Sequence, residues 1–152
     1  MIVGIGEYHV SDMPISTIGL GSCIALIIHD TKKNVGALAH VMLPESRGRI
    51  EHPGKYADTA VTVLIKELRS MGSNKTYLTA KIIGGASMFK LSNSNLNIGK
   101  KNTEVIISCL KEQNISIDVT EVGGNFGRSL VYYPKEGGKV FIKQADGPKK
   151  EL

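Results

Sequence analysis

Three side chains near the start of this 152-residue chain are of types that can carry out covalent chemistry together. Cys23 closes the segment TIGLGSC, His40 lies within GALAHVMLP, and Thr17 precedes the cysteine across two glycines. A thiol beside an imidazole is a nucleophile with its base. A hydroxyl that accepts a hydrogen bond from the imidazole nitrogen turned away from the sulfur would fix the tautomer and the direction of the ring. Gly21 and Ser22 add a second component, since a glycine there lets the backbone N–H groups around Cys23 turn toward a developing oxyanion.

These residues need a hairpin to meet. The run 23–28 is apolar throughout, as in a strand covered on both faces, and 35–43 is the return strand, stopped by Pro44. Between them DTKKN supplies turn chemistry. With residues 31–34 as the loop, an antiparallel ladder sets Cys23 opposite Met42 and His40 opposite Ala25, so thiol and imidazole are near neighbours. An extended chain, at about 3.3 Å per residue, would carry Thr17 roughly 20 Å from Cys23. Gly19 and Gly21 remove that obstacle by letting the chain fold back.

The rest of the chain reads as a frame for this hairpin. Residues 2–10 suit a first strand, with SDMP as a turn after it. ESRGRIEHP (45–53) is a polar, irregular loop of the kind that borders a site, and Pro53 is placed for the first position of a helix. That helix is expected over about 55–71, with Ala57, Ala60, Val61, Leu64, Leu68 and Met71 on one face and Gly72 as the stop. A strand over 76–83 ends at Gly84-Gly85, and the LSNSNLN loop leads to Asn97, the N-cap of a second helix. Its buried stripe is Ile98, Val105, Ile106, Cys109 and Leu110, and Asn114 ends it. Residues 115–121 alternate as a half-buried strand, 130–133 and 139–143 form a closing hairpin, and 145–152 are expected to be a loose tail. Strands come in hairpins more than in alternating units. The expectation is one α+β domain over 1–152, with two main helices packed on one side of layered, sandwich-like sheets.

Composition excludes several classes. Apolar residues make up 41% and charged residues 22%, ordinary globular usage that argues against wholesale disorder. The longest apolar run falls far short of a bilayer span and no basic leader with an apolar core opens the chain, so neither membrane insertion nor secretion is expected. Two cysteines without a disulfide suit a reducing compartment, the cytosol. The net charge of +5 raises nucleic acid as a partner, but the basic residues come as scattered pairs such as Lys32-Lys33 and Lys149-Lys150, without interleaved aromatics. No nucleic-acid partner is expected. Cys23, His29, His40 and Cys109 lack the short paired spacings of a zinc site. Cys109 falls on a helical stripe and is assigned to packing. Composition and spacing alone leave Cys23 open to the same account, a small buried hydrophobe, and His40 to that of a satisfied core histidine.

Longer motifs narrow the choice. TIGLGSC and GALAHVMLP, followed by KYADTAV (55–61), IIGGASMF (82–89), NIGKKN (97–102) and GGNFGR (123–128), closely resemble the chemoreceptor glutamine deamidases of the CheD family of bacterial and archaeal chemotaxis. The resemblance covers most of the chain. It implies an amidohydrolase that converts selected glutamine side chains on the cytoplasmic helices of chemoreceptors to glutamate. By motif, Cys23 corresponds to the nucleophile, His40 to the general base and Thr17 to the residue that orients the histidine. The resemblance also implies a fold shared with the catalytic domain of cytotoxic necrotizing factors and the phosphatase CheC as a partner. The chemistry of these groups requires no metal or organic cofactor. The 45–53 and 84–95 loops are expected at the rim of an open groove. Two rival functions stand beside this one: a noncatalytic adaptor that binds receptors or CheC, and a transglutaminase-like enzyme that passes the acyl group to an amine.

Overall fold

The apolar runs on either side of DTKKN form β3 (Ile24–Asp30) and β4 (Val35–Val41), every residue of which is buried. They pair antiparallel with His40 opposite Ala25 and Val35 opposite Asp30, the register expected from a loop over 31–34. Strands covered on both faces need a layer on each side. The computed structural model, which describes residues 1–87 and 97–152, supplies both layers.

A five-stranded sheet runs in the order β1, β4, β3, β5, β6, where β1 is Tyr8–Ser11, β5 is Leu78–Gly84 and β6 is Ser116–Val122. One face carries α1 (Ala57–Ser70) and α2 (Ile98–Glu112), so that Leu26, Ile28, Ala37 and Ala39 share a core with Leu64, Leu68, Ile106 and Leu110. The other face meets a four-stranded sheet in the order β2 (Ile15–Leu20), β7 (Arg128–Tyr133), β8 (Lys139–Gln144), β9 (Lys149–Glu151). There Ala25, Ile27 and Leu38 pack with Ile15, Leu130, Tyr132 and Ile142. The expected α+β class, with layered sheets and both helices on one side, is what the chain adopts.

Several local expectations give way to tertiary structure. Helix α1 starts at Ala57 with Tyr56 as its N-cap rather than at Pro53. Its first N–H groups are satisfied from outside the helix, Ala57 donating to Leu43 O and Asp58 to Pro44 O. Met71 caps the other end and is 53% exposed, while Ile65 takes a buried place on the helix. Strands β5 and β6 pair in parallel on either side of α2 in sequence, so a strand–helix–strand unit stands among the hairpins. The tail expected to be loose forms β9 against β8, and Leu152 and Val140 exchange backbone hydrogen bonds. Asn97 does cap α2, accepting from the Lys100 N–H at 3.0 Å. The rest of the LSNSNLN loop lies outside the described residues, as does the end of IIGGASMF. Cys23 and Cys109 are both free thiols.

The glycine pair at the end of β5 has a specific task. Gly84 has φ +117°, and a Cβ placed on it would stand 2.4 Å from the carbonyl oxygen of Cys23. Gly85 donates its N–H to that same oxygen at 2.9 Å. Gly84→Ala is therefore strained both in its backbone and by collision, and should destabilise the fold by on the order of 3 kcal/mol in urea unfolding. A loss under about 1 kcal/mol would show that the Cys23 carbonyl can move aside.

Candidate active site

His40 and Cys23 owe their shared face to the two-residue period of a strand. Cys23 and Ala25 both belong to the core between the sheets, and His40 lies directly opposite Ala25. Cys23 is thus one diagonal step from His40, a spacing long side chains can bridge. No hydrogen bond joins the two side chains, and His40 Nε2 has no partner among the described residues.

Thr17 reaches the histidine from the opposite layer. It lies in β2, whose pairing with β7 shifts register between Thr17 and Leu20. Gly19 adopts φ +73°, and the Gly21 N–H turns back onto the Gly19 carbonyl at 3.1 Å. The chain leaves one sheet here and enters the other at Cys23. Closure is therefore across the gap between sheets, with the glycines making the crossing.

The resulting hydrogen bonds settle a proton position. Thr17 Oγ1 lies 2.7 Å from the Val3 carbonyl oxygen and 2.7 Å from His40 Nδ1. A carbonyl can only accept, so the single hydroxyl proton goes to Val3. The contact with the imidazole then has to run the other way, from Nδ1–H to Oγ1. The lone pair of the neutral ring is left on Nε2. Both Thr17 and His40 are fully buried, and burial pushes the His40 pKa below its ordinary value of 6.5. Burial also raises the Cys23 thiol above its ordinary 9.0. Burial thus favours the uncharged form of each group.

At the Gly21–Ser22 turn, both backbone groups of Gly21 have partners within the protein. The Gly21 N–H is already engaged by Gly19, and the Gly21 carbonyl accepts from Ala86 N–H at 2.8 Å. Of the two predicted rim loops, 45–53 is irregular and its residues Arg47, Arg49, Ile50, Glu51 and His52 are exposed. Residues 88–95 of the other lie outside the described residues. Among the described residues, no three His, Cys, Asp or Glu side chains gather as a metal site.

A family model described as "CheD chemotactic sensory transduction" matches residues 42–144. The chain belongs to the CheD family. It is 47% identical over 148 residues to the "Chemoreceptor glutamine deamidase CheD" of Thermotoga maritima, covering 96% of this chain and 92% of that one. It is 41% identical over 141 residues to the "Probable chemoreceptor glutamine deamidase CheD" of Clostridium acetobutylicum, across 89% of this chain and 85% of the other. A protein of the same printed name from Methanococcus maripaludis is 41% identical over 147 residues, 95% of each chain. The span matched by the CheD model begins after His40, so that match concerns the frame, whereas the arrangement of Thr17, Cys23 and His40 rests on geometry.

Three supporting residues of this CheD family member escape a search for nucleophiles and bases. The Val3 carbonyl accepts from the Thr17 hydroxyl, and the adjoining segment clasps the His40 backbone through Gly6 N–H to His40 O and His40 N–H to Glu7 O. Arg128, 4% exposed, donates from Nη1 to the Gly84 carbonyl at 3.2 Å and lies 4.5 Å from the Phe126 ring. Asn102 sits fully buried on α2, bonded to Ser22 and Met42. It carries a sequence signal: a polar residue at four-residue spacing between Ile98 and Ile106 on a buried stripe.

The network makes two expectations. Nitrogen-15 NMR should find His40 as the Nδ1–H tautomer, and Thr17→Val should abolish that preference; an Nε2–H ring in the wild type would refute the assignment. Stability should also fall on acidification. His40 and His29, the latter bonded at Nδ1 to the Tyr132 hydroxyl, both have pKa values depressed first by burial. Between the depressed folded values and 6.5 the unfolded chain binds protons that the folded chain does not, so stability declines as pH drops through that window. The urea midpoint should fall between about pH 7 and pH 5, and a constant midpoint would contradict this.

Proposed function

We propose that this chain is a protein-glutamine deamidase that hydrolyses glutamine side chains of methyl-accepting chemoreceptors to glutamate, releasing ammonia. The observation that carries the reading is the direction of the Thr17–His40 hydrogen bond. It leaves Nε2 as the basic atom, on a ring that shares a face with Cys23. The printed names of the relatives supply the substrate class.

The steps follow from the groups. His40 Nε2 takes the thiol proton as the sulfur of Cys23 attacks the carboxamide carbon, and this reading assigns nearby backbone N–H groups to the oxyanion. The imidazolium returns its proton to the departing nitrogen, which leaves as ammonia, and a thioester remains. Water then gives one proton to the same imidazole as its oxygen attacks the thioester carbon; the C–S bond breaks, the imidazolium returns that proton to the sulfur, and the carboxylic acid product loses its remaining proton to solvent. Thr17 holds Nδ1–H throughout. The substrate is a side chain on a helical bundle in the cytoplasm, so the enzyme works there, with the 45–53 loop at the rim of the groove. CheC is the partner this reading assigns. The helix, sheet, sheet layering supports kinship with the catalytic domain of cytotoxic necrotizing factors.

Intact-mass measurement of a chemoreceptor cytoplasmic fragment incubated with the protein should show gains of about one dalton per site, where an amine adduct would add far more. Cys23→Ala and His40→Ala should each lower turnover by about 10³-fold or more while the fragment still binds. Turnover by Cys23→Ala at the wild-type rate would sink the catalytic reading and leave the adaptor. With a neutral pair as the active form, kcat/KM should rise to a plateau on an acid limb below pH 6.5 and break only above pH 9.0.

A further inference from the structure

We infer that Asn102 is a positioning residue for Cys23: its side-chain amide supplies the rung that closes the β3–β4 hairpin at the cysteine. The inference rests on the reading of Cys23 as the nucleophile. Asn102 Nδ2 lies 3.1 Å from the carbonyl oxygen of Ser22 and 3.1 Å from that of Met42. Both partners are acceptors, so both bonds are donated by the one NH₂ group and the orientation of the amide is determined. Ser22 immediately precedes the thiol. Met42 is the position that would face Cys23 if the ladder continued.

The ladder does not continue. The last paired residues are Ile24 and Val41, and beyond them β4 is diverted, the Met42 and Leu43 N–H groups both donating to the Lys55 carbonyl. The two chain ends are left with carbonyl groups that no strand partner meets. Asn102 reaches between them from the helix layer and holds both. Next to this clamp, the Cys23 carbonyl is held by the Gly85 N–H at 2.9 Å. Gly85 in turn lies beneath Gly99, where a Cβ would stand 2.5 Å from the Gly85 oxygen. The N-terminal part of α2 therefore fixes the backbone on both sides of the thiol, through Asn102 before it and the Gly99–Gly85 contact after it.

The residue type fits that task and little else. A buried asparagine inside a helix has a poor propensity and an amide to desolvate, and here Oδ1 finds no partner among the described residues. An apolar residue would suit the stripe better were packing the only demand. Serine offers one donor for two carbonyls, and aspartate offers none.

The test compares Asn102→Ala, Asn102→Ser and Leu110→Ala, a core truncation on the same helix, by steady-state kinetics on a glutamine-bearing receptor fragment and by thermal melting. Asn102→Ala should lower kcat by about 10- to 100-fold with KM changed less than about threefold, because misplacing a nucleophile affects the chemical step more than binding. Asn102→Ser should fall between Asn102→Ala and the wild type. Leu110→Ala should lose comparable thermal stability and keep kcat within about twofold of the wild type. Alkylation of Cys23 by iodoacetamide, followed against pH, should change its profile in Asn102→Ala and not in Leu110→Ala. Should Asn102→Ala prove unable to fold, the same comparisons are made with Asn102→Ser. The inference is overturned if an Asn102 variant retains kcat, or if Leu110→Ala loses kcat and alters the alkylation profile to the same degree. Wild-type turnover by Cys23→Ala is a separate outcome that removes the underlying reading instead.

Discussion

A hydroxyl group has one proton, and that of Thr17 is committed to the Val3 carbonyl. The chemical character of the site depends on this assignment. With the proton given away, Thr17 can only receive from His40, the ring carries its hydrogen on Nδ1, and Nε2 is left basic. An aspartate in the same place would impose the same direction through charge, and would stabilise an imidazolium strongly. Threonine does so without a charge, which suits a fully buried position. It follows that a backbone carbonyl near the start of the chain, in no strand, takes part in the acid–base state of a residue on β4.

The surrounding layers act on the same residues through burial. Because β3 and β4 are covered by helices on one face and a second sheet on the other, the thiol and the imidazole both sit where a charge is poorly solvated. Burial moves their pKa values apart, away from the ion pair and toward the neutral pair. The fold thus favours the uncharged form of both groups. Precision then has to come from backbone placement. The glycine pair at the end of β5, Asn102 on α2 and Arg128 converge on the backbone around Cys23.

Much of this frame could be anticipated from local pattern. The hairpin register followed from turn chemistry and two apolar runs, and it set Ala25 opposite His40. The periodicity of α1 and the Asn97 cap were equally plain, since each depends on residues close in sequence. What escaped was set by distant partners. Pro53 offered a good helix start, but α1 begins four residues further on, where its first N–H groups are met by the carbonyls of Leu43 and Pro44. The parallel pairing of β5 with β6 and the docking of β9 depend on which edges lie free in the assembled sheets. Val3 could not be recognised from its type, because its carbonyl and not its side chain is what serves. Asn102 could have been, as a polar interruption of an apolar stripe.

The burial of Cys23 also bears on how the protein withstands oxidants. Sulfenic acid forms from accessible thiolate, and oxidation proceeds from there to states that are not readily reversed. Cys23 is only 8% exposed and burial raises its thiol above its ordinary 9.0, so it presents little of either requirement. The same burial that disfavours the Cys23 thiolate therefore also disfavours its oxidation, without a disulfide partner.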